Sequence, residues 1–370
     1  MSIWLDTLSR DLLDSGRFAG YVRDFGVSGV TSNPTIFERA LSGSDSYDDE
    51  LSSPSVASSA RLAFFDLALA DVRRAAELLL PAYEASAGVD GYVSFQTTPE
   101  LSHDADGMVD QALALWRRLD RRNVMIKVPG TTAGVTALQE LTVLGVNVNV
   151  TLLFSVERYE RVIDAYMRGL ERRQAKRLPL SGIASVASFF VSRIDAKVDP
   201  LLPAGSHLRG RVAIADARRA YALQRRSLAG ERWLRLEAGG ARPQRPLWAS
   251  TGTKDPSYPD VLYVEELVTP GAINTMPAST LEAFADHGEV HVAPTAGFEA
   301  VLADASRAGV DVEAVARELE REGIAAFQGS YERLLERIAD STGRRDRPIK
   351  DGWPRADLPV PAGAPGSSPR

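Results

Sequence analysis

Short apolar runs alternate along this chain with longer stretches whose apolar positions recur every three or four residues. The first run, Ile3 to Asp6, leads into a helical pattern from Leu8 to about Phe25. Gly29-Val30-Thr31-Ser32-Asn33 follows, and Pro34 opens a short helix, as proline does at a first helical position. The spacing then predicts helix over about 61–83, a strand at Tyr92–Gln96, helix over 105–121, a strand at Val124–Val128 and helix over about 133–144. Val146 to Leu153 is β-branched and alternating, and 156–173 is helical and highly charged. Ile183 to Phe190 reads as a strand, with helices over about 192–198 and 211–228. Pro246 to Ser250 and Ile273 to Met276 are the last strands, separated by a short helix over 259–266. Helices after Pro277, over about 297–307 and over 311–340, close the pattern.

Eight apolar runs, each followed by helix, imply parallel strands joined by helical crossovers. Eight such units suit a closed (β/α)₈ barrel. The rival is a doubly wound sheet, which carries a glycine-rich fingerprint after its first strand. Asp6-Thr7-Leu8 is no such fingerprint. The α/β barrel with additional C-terminal helices is therefore the expected fold, as a single domain over residues 1–345. The composition changes near Arg347. Residues 348–370 hold six prolines and three glycines, so 346–370 is expected to be a flexible tail. Deleting 348–370 should lower the melting temperature by less than ~5 °C. A larger drop in a thermal melt would mean that the tail is packed.

The charge balance narrows the partners. Lys plus Arg is 43 against 49 for Asp plus Glu, a formal charge of −6, with no basic block to track nucleic acid. The chain has no cysteine, which excludes disulfides, thiolate metal sites and a cysteine nucleophile. No apolar run reaches the ~18 residues that would span a membrane. Met1-Ser2-Ile3-Trp4-Leu5-Asp6 has no apolar core of a secretory signal, so a cytoplasmic location is expected. The four histidines His103, His207, His287 and His291 are scattered, without the HExxH spacing of a zincin. His287 and His291, four apart across Gly288, are expected on the surface or in a loop.

In a barrel of this kind the active site lies at the C-terminal ends of the strands. The polar residues there are Asp6, Thr31-Ser32-Asn33, Gln96, Lys127, Asn147, Asn149, Thr151, Ser188 with Arg193 a turn later, Ser250 with Lys254 following, and Asn274-Thr275. Lys127 is flanked by Val124, Met125, Ile126 and Val128. Lysine is rarely buried unless paired or functional. Desolvation would lower its pKa and free the amine to attack a carbonyl. A lysine at a strand end that reaches solvent, or pairs with Asp6, fits the same letters. Asp6 can exchange a proton with a substrate hydroxyl or cap the next helix. Asn33 can hold a hydroxyl or simply start the helix at Pro34. Asn147, Asn149 and Thr151 share one strand face and form either a site or a structural network. Ser250-Thr251-Gly252-Thr253-Lys254, with Arg193, can bind phosphate or be a solvated turn, and it lacks P-loop spacing.

Together these segments resemble the transaldolase family. The resemblance rests on Gly29-Val30-Thr31-Ser32-Asn33-Pro34-Thr35-Ile36-Phe37 and on Ile126-Lys127-Val128-Pro129-Gly130-Thr131 through Val135. Asn147 through Ser155, Ser185 through Arg193, Trp248 through Lys254 and Asn274-Thr275-Met276-Pro277 continue it in family order, from about residue 3 to 340. The long form is similar to actinobacterial transaldolases. The resemblance implies a class I mechanism on sugar phosphates without metal or organic cofactor, in a monomer or homodimer with no nucleic-acid or membrane partner. It assigns Lys127 as the Schiff-base nucleophile and Asp6 as the base on the C4 hydroxyl. It makes Thr151 a water-positioning group and gives the dihydroxyacetone unit to Asn33, Asn149 and Ser188, with Thr31 and Phe190 beside it. Arg193, Ser250 and Lys254 would bind phosphate.

One position departs from the pattern. The family carries a glutamate at the end of strand three, where this chain has Gln96. An amide can hydrogen-bond a water but cannot usefully exchange a proton with it. Fructose-6-phosphate aldolases of the same superfamily have glutamine there, with a strand-six tyrosine handling the water; that position here is Phe190. Three functions are thus open: a transaldolase, an aldolase releasing dihydroxyacetone, or a non-catalytic sugar-phosphate binder.

Overall fold

The computed structural model describes residues 1–52, 59–294 and 296–342. Eight parallel strands close into a barrel in sequence order. They are β1 (Ser2–Leu5), β2 (Val27–Thr31), β3 (Tyr92–Gln96), β4 (Val124–Pro129), β5 (Val148–Leu153), β6 (Ser185–Phe190), β7 (Arg245–Ala249) and β8 (Ile273–Met276). Closure pairs β1 with β8, Ser2 opposite Ile273 through Leu5 opposite Met276. Strands β3 to β6 are buried along their whole length, as expected of parallel strands covered on the outside by helices. The chain is thus the (β/α)₈ barrel expected from the alternation of apolar runs and helical stretches. The 346–370 tail lies outside the described residues.

Several element bounds differ from the expectation, each for a local reason. The helical pattern from Leu8 to Phe25 is two helices, Arg10–Asp14 and Arg17–Asp24. Gly16 sits between them with φ 73°, a left-handed conformation that no helix interior contains. The second strand begins at Val27 rather than Gly29 and ends at Thr31, so Ser32 and Asn33 lie beyond it. Gly29 is inside the strand because a Cβ there would come 2.4 Å from the Trp4 ring. The helix expected over 259–266 is only Leu262–Glu265, after a turn that contains Pro256 and Pro259. Two helices went unexpected: Asp48–Ser52, and Glu231–Ala238, which buries only Trp233 and Leu236. His287 ends a helix and His291 follows in a loop, both exposed, as expected.

The C-terminal helix Val312–Thr342 packs against helices Pro34–Ser42, Ala60–Ala85 and Ser192–Val198. Thr35 Oγ1 lies 2.9 Å from Ser330 Oγ, Arg333 pairs with Glu38 at 3.0 Å, and Lys197 pairs with Glu318 at 2.7 Å. These contacts hold the helix beside the mouth of the barrel, where Phe327 reaches the principal cavity.

Near the start of this helix lies a buried acid without a hydrogen bond. Asp216 is 1% exposed and neither of its carboxylate oxygens has a partner. Arg219 Nη1 stands 3.9 Å away, too far for a hydrogen bond. Burial pushes Asp216 up to about 8, Arg219 opposes this, and Glu313 and Asp195 add to it. A carboxyl whose folded pKa is raised loses stability as pH climbs from the unfolded value toward the folded one. Asp216→Asn should therefore raise the melting temperature by roughly 2–5 °C at pH 8. The gain should shrink toward pH 5, and a destabilised variant in a melt at pH 8 would contradict the assignment.

Candidate active site

A cavity of about 730 Å³ opens at the C-terminal end of the barrel. Asp6, Asn33, Lys127, Ser188, Phe190, Arg193, Ser250 and Lys254 all line it, so eight of the twelve residues given a site role by the resemblance and by the Gln96 departure converge on one space, with Thr275 beside them. Asp6 follows β1 directly, and Lys127 is the fourth residue of β4. Asn33 caps the helix Pro34–Ser42, its side chain accepting from the Ile36 backbone N–H at 3.0 Å. It can therefore both cap that helix and present its amide nitrogen to the cavity.

Lys127 is 3% exposed. Its Nζ donates to the Ser32 carbonyl at 3.2 Å. Burial lowers its pKa to about 8, and the Asp6 carboxylate opposes the shift. A buried amine beside one carboxylate is partly neutral near physiological pH, which is the state that attacks a carbonyl. Asp6 is held by Thr31, whose Oγ1 donates to Asp6 Oδ1 at 2.7 Å and stands 2.9 Å from Thr275 Oγ1.

Four of the residues stand behind the cavity rather than on its wall. Thr31 acts on Asp6 as just described. Asn149 is fully buried, its Nδ2 donating to Ser94 Oγ at 3.0 Å and its Oδ1 accepting from Ser188 Oγ at 2.7 Å. Its side chain thus orients Ser188, which does line the cavity. Gln96 and Thr151 each carry a buried oxygen, Oε1 and Oγ1, with no hydrogen-bond partner. Gln96 is in register with Lys127, and Lys127 with Asn149, so the three are neighbours across β3, β4 and β5. Gln96 lines a small pocket of about 10 Å³ under the helix Pro34–Ser42, close to the room one water needs. Thr151 lies opposite Pro129, and neither it nor Lys127 lines that small pocket; each orphaned oxygen is a place where a water could complete the hydrogen bonding.

Asn147, two residues before Asn149, is structural. Its Nδ2 donates to the carbonyls of Arg122 and Val124, and its Oδ1 accepts from Ala184 N–H. Asn274 accepts from Thr251 Oγ1 at 2.7 Å and so fastens the loop after β7.

Part of the cavity wall is cationic. The Arg193 guanidinium lies 5.6 Å over the Phe190 ring, and burial holds its pKa below the usual value. Lys254 is also lowered, by burial first and then by Arg193. Ser250, with φ 56°, turns the chain sharply after β7, and its Oγ stands 3.1 Å from Ser192 Oγ. Two cations and a hydroxyl of this kind can bind an anion such as phosphate. Sequence reading missed Arg39, which also lines the cavity, and Ser94, which supports Asn149. Among the described residues no group of His, Cys, Asp and Glu is placed to hold a metal ion, and no helix is long and apolar enough to cross a membrane.

Comparison with known proteins agrees with this geometry. The family model described as transaldolase/fructose-6-phosphate aldolase matches residues 3–338. A transaldolase of Parafrankia sp. (strain EAN1pec) is 47% identical over 93% of this chain and 96% of its own length. Transaldolase 1 of Streptomyces avermitilis is 47% identical, covering 92% and 93%, and a transaldolase of Mycolicibacterium smegmatis is 46% identical, covering 91% and 93%. With a lysine buried inside the barrel, a carboxylate beside it and a match over nearly the whole chain, this protein belongs to the transaldolase/fructose-6-phosphate aldolase family.

Proposed function

We propose that this chain transfers a dihydroxyacetone unit from a ketose phosphate, such as fructose 6-phosphate or sedoheptulose 7-phosphate, to an aldose phosphate. The observation that carries the reading is Lys127: a buried amine with a pKa lowered to about 8, facing a cavity also lined by Arg193 and Lys254. The neutral amine adds to the ketone carbon, and the carbinolamine loses water to give an iminium. Asp6 takes the proton of the C4 hydroxyl and the C3–C4 bond breaks. Its electron pair moves into the iminium as an enamine, and an aldose phosphate leaves. The enamine then adds to the aldehyde of the acceptor, Asp6 returns the proton, and water releases the new ketose.

The remaining residues take supporting roles. Asn33 and Ser188 hold the hydroxyls of the retained unit, and Asn149 keeps Ser188 in place. Thr31 orients Asp6, and Phe190 walls the site beneath Arg193. Gln96 and Thr151 hold the water that enters and leaves the iminium. Arg193, Ser250 and Lys254 grip the phosphate. The same reading makes the enzyme cytoplasmic, a monomer or homodimer, with sugar phosphates as its partners.

Gln96 favours one alternative, an aldolase that releases dihydroxyacetone to water; Phe190, in place of a phenol, opposes it. Product analysis with fructose 6-phosphate, with and without erythrose 4-phosphate, separates the two. Turnover that requires the acceptor marks transfer, whereas dihydroxyacetone formed without acceptor marks the aldolase.

A further inference from the structure

The principal cavity is lined by one cation that the reading above leaves without a role. Arg39 belongs to the helix Pro34–Ser42, on the opposite side of Asn33 from the barrel strands. Ile36, Arg39, Ala40 and Gly43 all line the cavity, a spacing of three, four and seven that marks one stripe of this helix. The other stripe, Phe37 and Leu41, is buried. Arg39 is thus turned toward the cavity by the same packing that anchors the helix.

Arg39 itself is exposed. Arg10, Arg17, Arg23, Arg61, Arg74, Arg118 and many others have a carboxylate within ion-pair distance. Among the described residues Arg39, Arg193 and Lys254 have none, as is also true of Arg117, Arg225, Arg317 and several others, but these three line the same cavity as Lys127. Of the acids there, Asp6 accepts from Thr31 and Asp11 accepts from Ser46. Arg39 also stands close enough to Lys254 to disfavour its ammonium form. Asp6 attracts Arg193 and Lys254, but Arg193 and Arg39 both disfavour the Lys254 ammonium, and a dianion seated among the three would relieve that repulsion.

We infer that Arg39 is a third cation of the phosphate subsite and sets the preference for phosphorylated over unphosphorylated aldehyde acceptors. The inference rests on the transfer reaction proposed above for the choice of substrate, but not for the anion contact itself. The retained three-carbon unit stays at Lys127, so the phosphate end of donor and acceptor alike points away from the barrel axis. Arg193 and Lys254 approach it from β6 and β7, and Arg39 approaches it from the helix after β2. Arginine suits the role because its planar fork matches a phosphate edge. The plain alternative is that Arg39, in the last turn of its helix, only complements the helix dipole.

The test uses the full chain and inorganic phosphate as the probe. Titration calorimetry on wild type, Arg39→Ala, Arg39→Lys and Arg333→Ala compares their phosphate affinities. Arg333 serves as the control because it pairs with Glu38 of the same helix but does not line the cavity. We expect affinity about tenfold weaker in Arg39→Ala, most of it recovered in Arg39→Lys, and no loss in Arg333→Ala. The ratio of kcat/KM for glyceraldehyde 3-phosphate to that for glyceraldehyde should fall by a similar factor in Arg39→Ala. Phosphate affinity that is absent in wild type, unchanged in Arg39→Ala, or lost equally in Arg333→Ala overturns the inference. Borohydride trapping of wild type with fructose 6-phosphate is run beside it. Trapping without Arg39-dependent phosphate binding removes the inference and leaves the transfer reaction; the converse removes the reaction and leaves the anion subsite.

Discussion

Lys127→Met should form no borohydride-trapped adduct with fructose 6-phosphate and should lose turnover by a factor on the order of 10⁴ or more. On the proposed mechanism the chemistry has no second route, because the enamine that carries the three-carbon unit would exist only on that amine. The fold should be unharmed. Methionine has a similar length and no charge to desolvate, and Lys127 makes one hydrogen bond, to the Ser32 carbonyl. A melting temperature equal to or above that of wild type, together with lost turnover, would separate the chemical role from a packing role. Undiminished turnover would sink the mechanism. The pH dependence of trapping offers a second reading of the same residue. With a pKa of about 8, about one amine in ten is neutral at pH 7, against roughly one in 2,500 for an ordinary lysine. Trapping should therefore speed up as pH rises toward 8 and level off above it. The Asp6 carboxylate raises the lysine pKa, so Asp6→Asn should move that profile to lower pH while blocking C3–C4 cleavage.

The barrel was legible in the sequence because its strands are short β-branched or aromatic runs bounded by Gly, Pro or Asn. Tyr92–Gln96 and Ile273–Met276 were read at their observed bounds for this reason. Errors arose where a glycine plays a tertiary role. Gly29 looks like the start of a strand, yet it sits mid-strand to admit the Trp4 ring. Gly16 keeps the apolar period of its neighbours and so hides a break between two helices. The site was legible at Lys127 because an ammonium within an apolar run has few structural uses. Arg39 was not, because one charge on an amphipathic helix reads as solvated surface. It is exposed in the structure as well, and only the placement of its helix beside the cavity shows that it lines that space. The division of labour between Asn149 and Ser188 was equally hidden. A period of two says that Asn149 points inward, but not that both ends of its amide are already taken.

Gln96→Glu should accelerate iminium formation and hydrolysis, with about 10²-fold as a reasonable first expectation within the 10²–10⁴-fold range of general acid–base help. The position is prepared for a proton carrier. Gln96 is the register partner of Lys127, its Oε1 has no donor, and the Thr151 hydroxyl on β5, opposite Pro129, is also unpartnered. A water seated between such groups would be held by an amide that can neither take nor give a proton. The substitution is nearly isosteric, so packing should change little. Its electrostatic effect is mixed. A new carboxylate beside Lys127 would raise the lysine pKa above its present value of about 8 and reduce the neutral fraction at pH 7. Burial opposes this by raising the pKa of the new acid, since Gln96 is 8% exposed. The net gain should therefore be larger at pH 9 than at pH 6, because the loss of neutral amine caused by the raised lysine pKa is smaller there. Pre-steady-state iminium formation and steady-state transfer, measured for both forms from pH 6 to 9, read the two effects apart. A gain that grows with pH assigns Gln96 to the water-handling position. If neither rate improves at any pH, the proton travels by another route, with Asp6 as the nearest carboxylate able to carry it. The amide would then belong to the recognition of a substrate that requires a neutral group there.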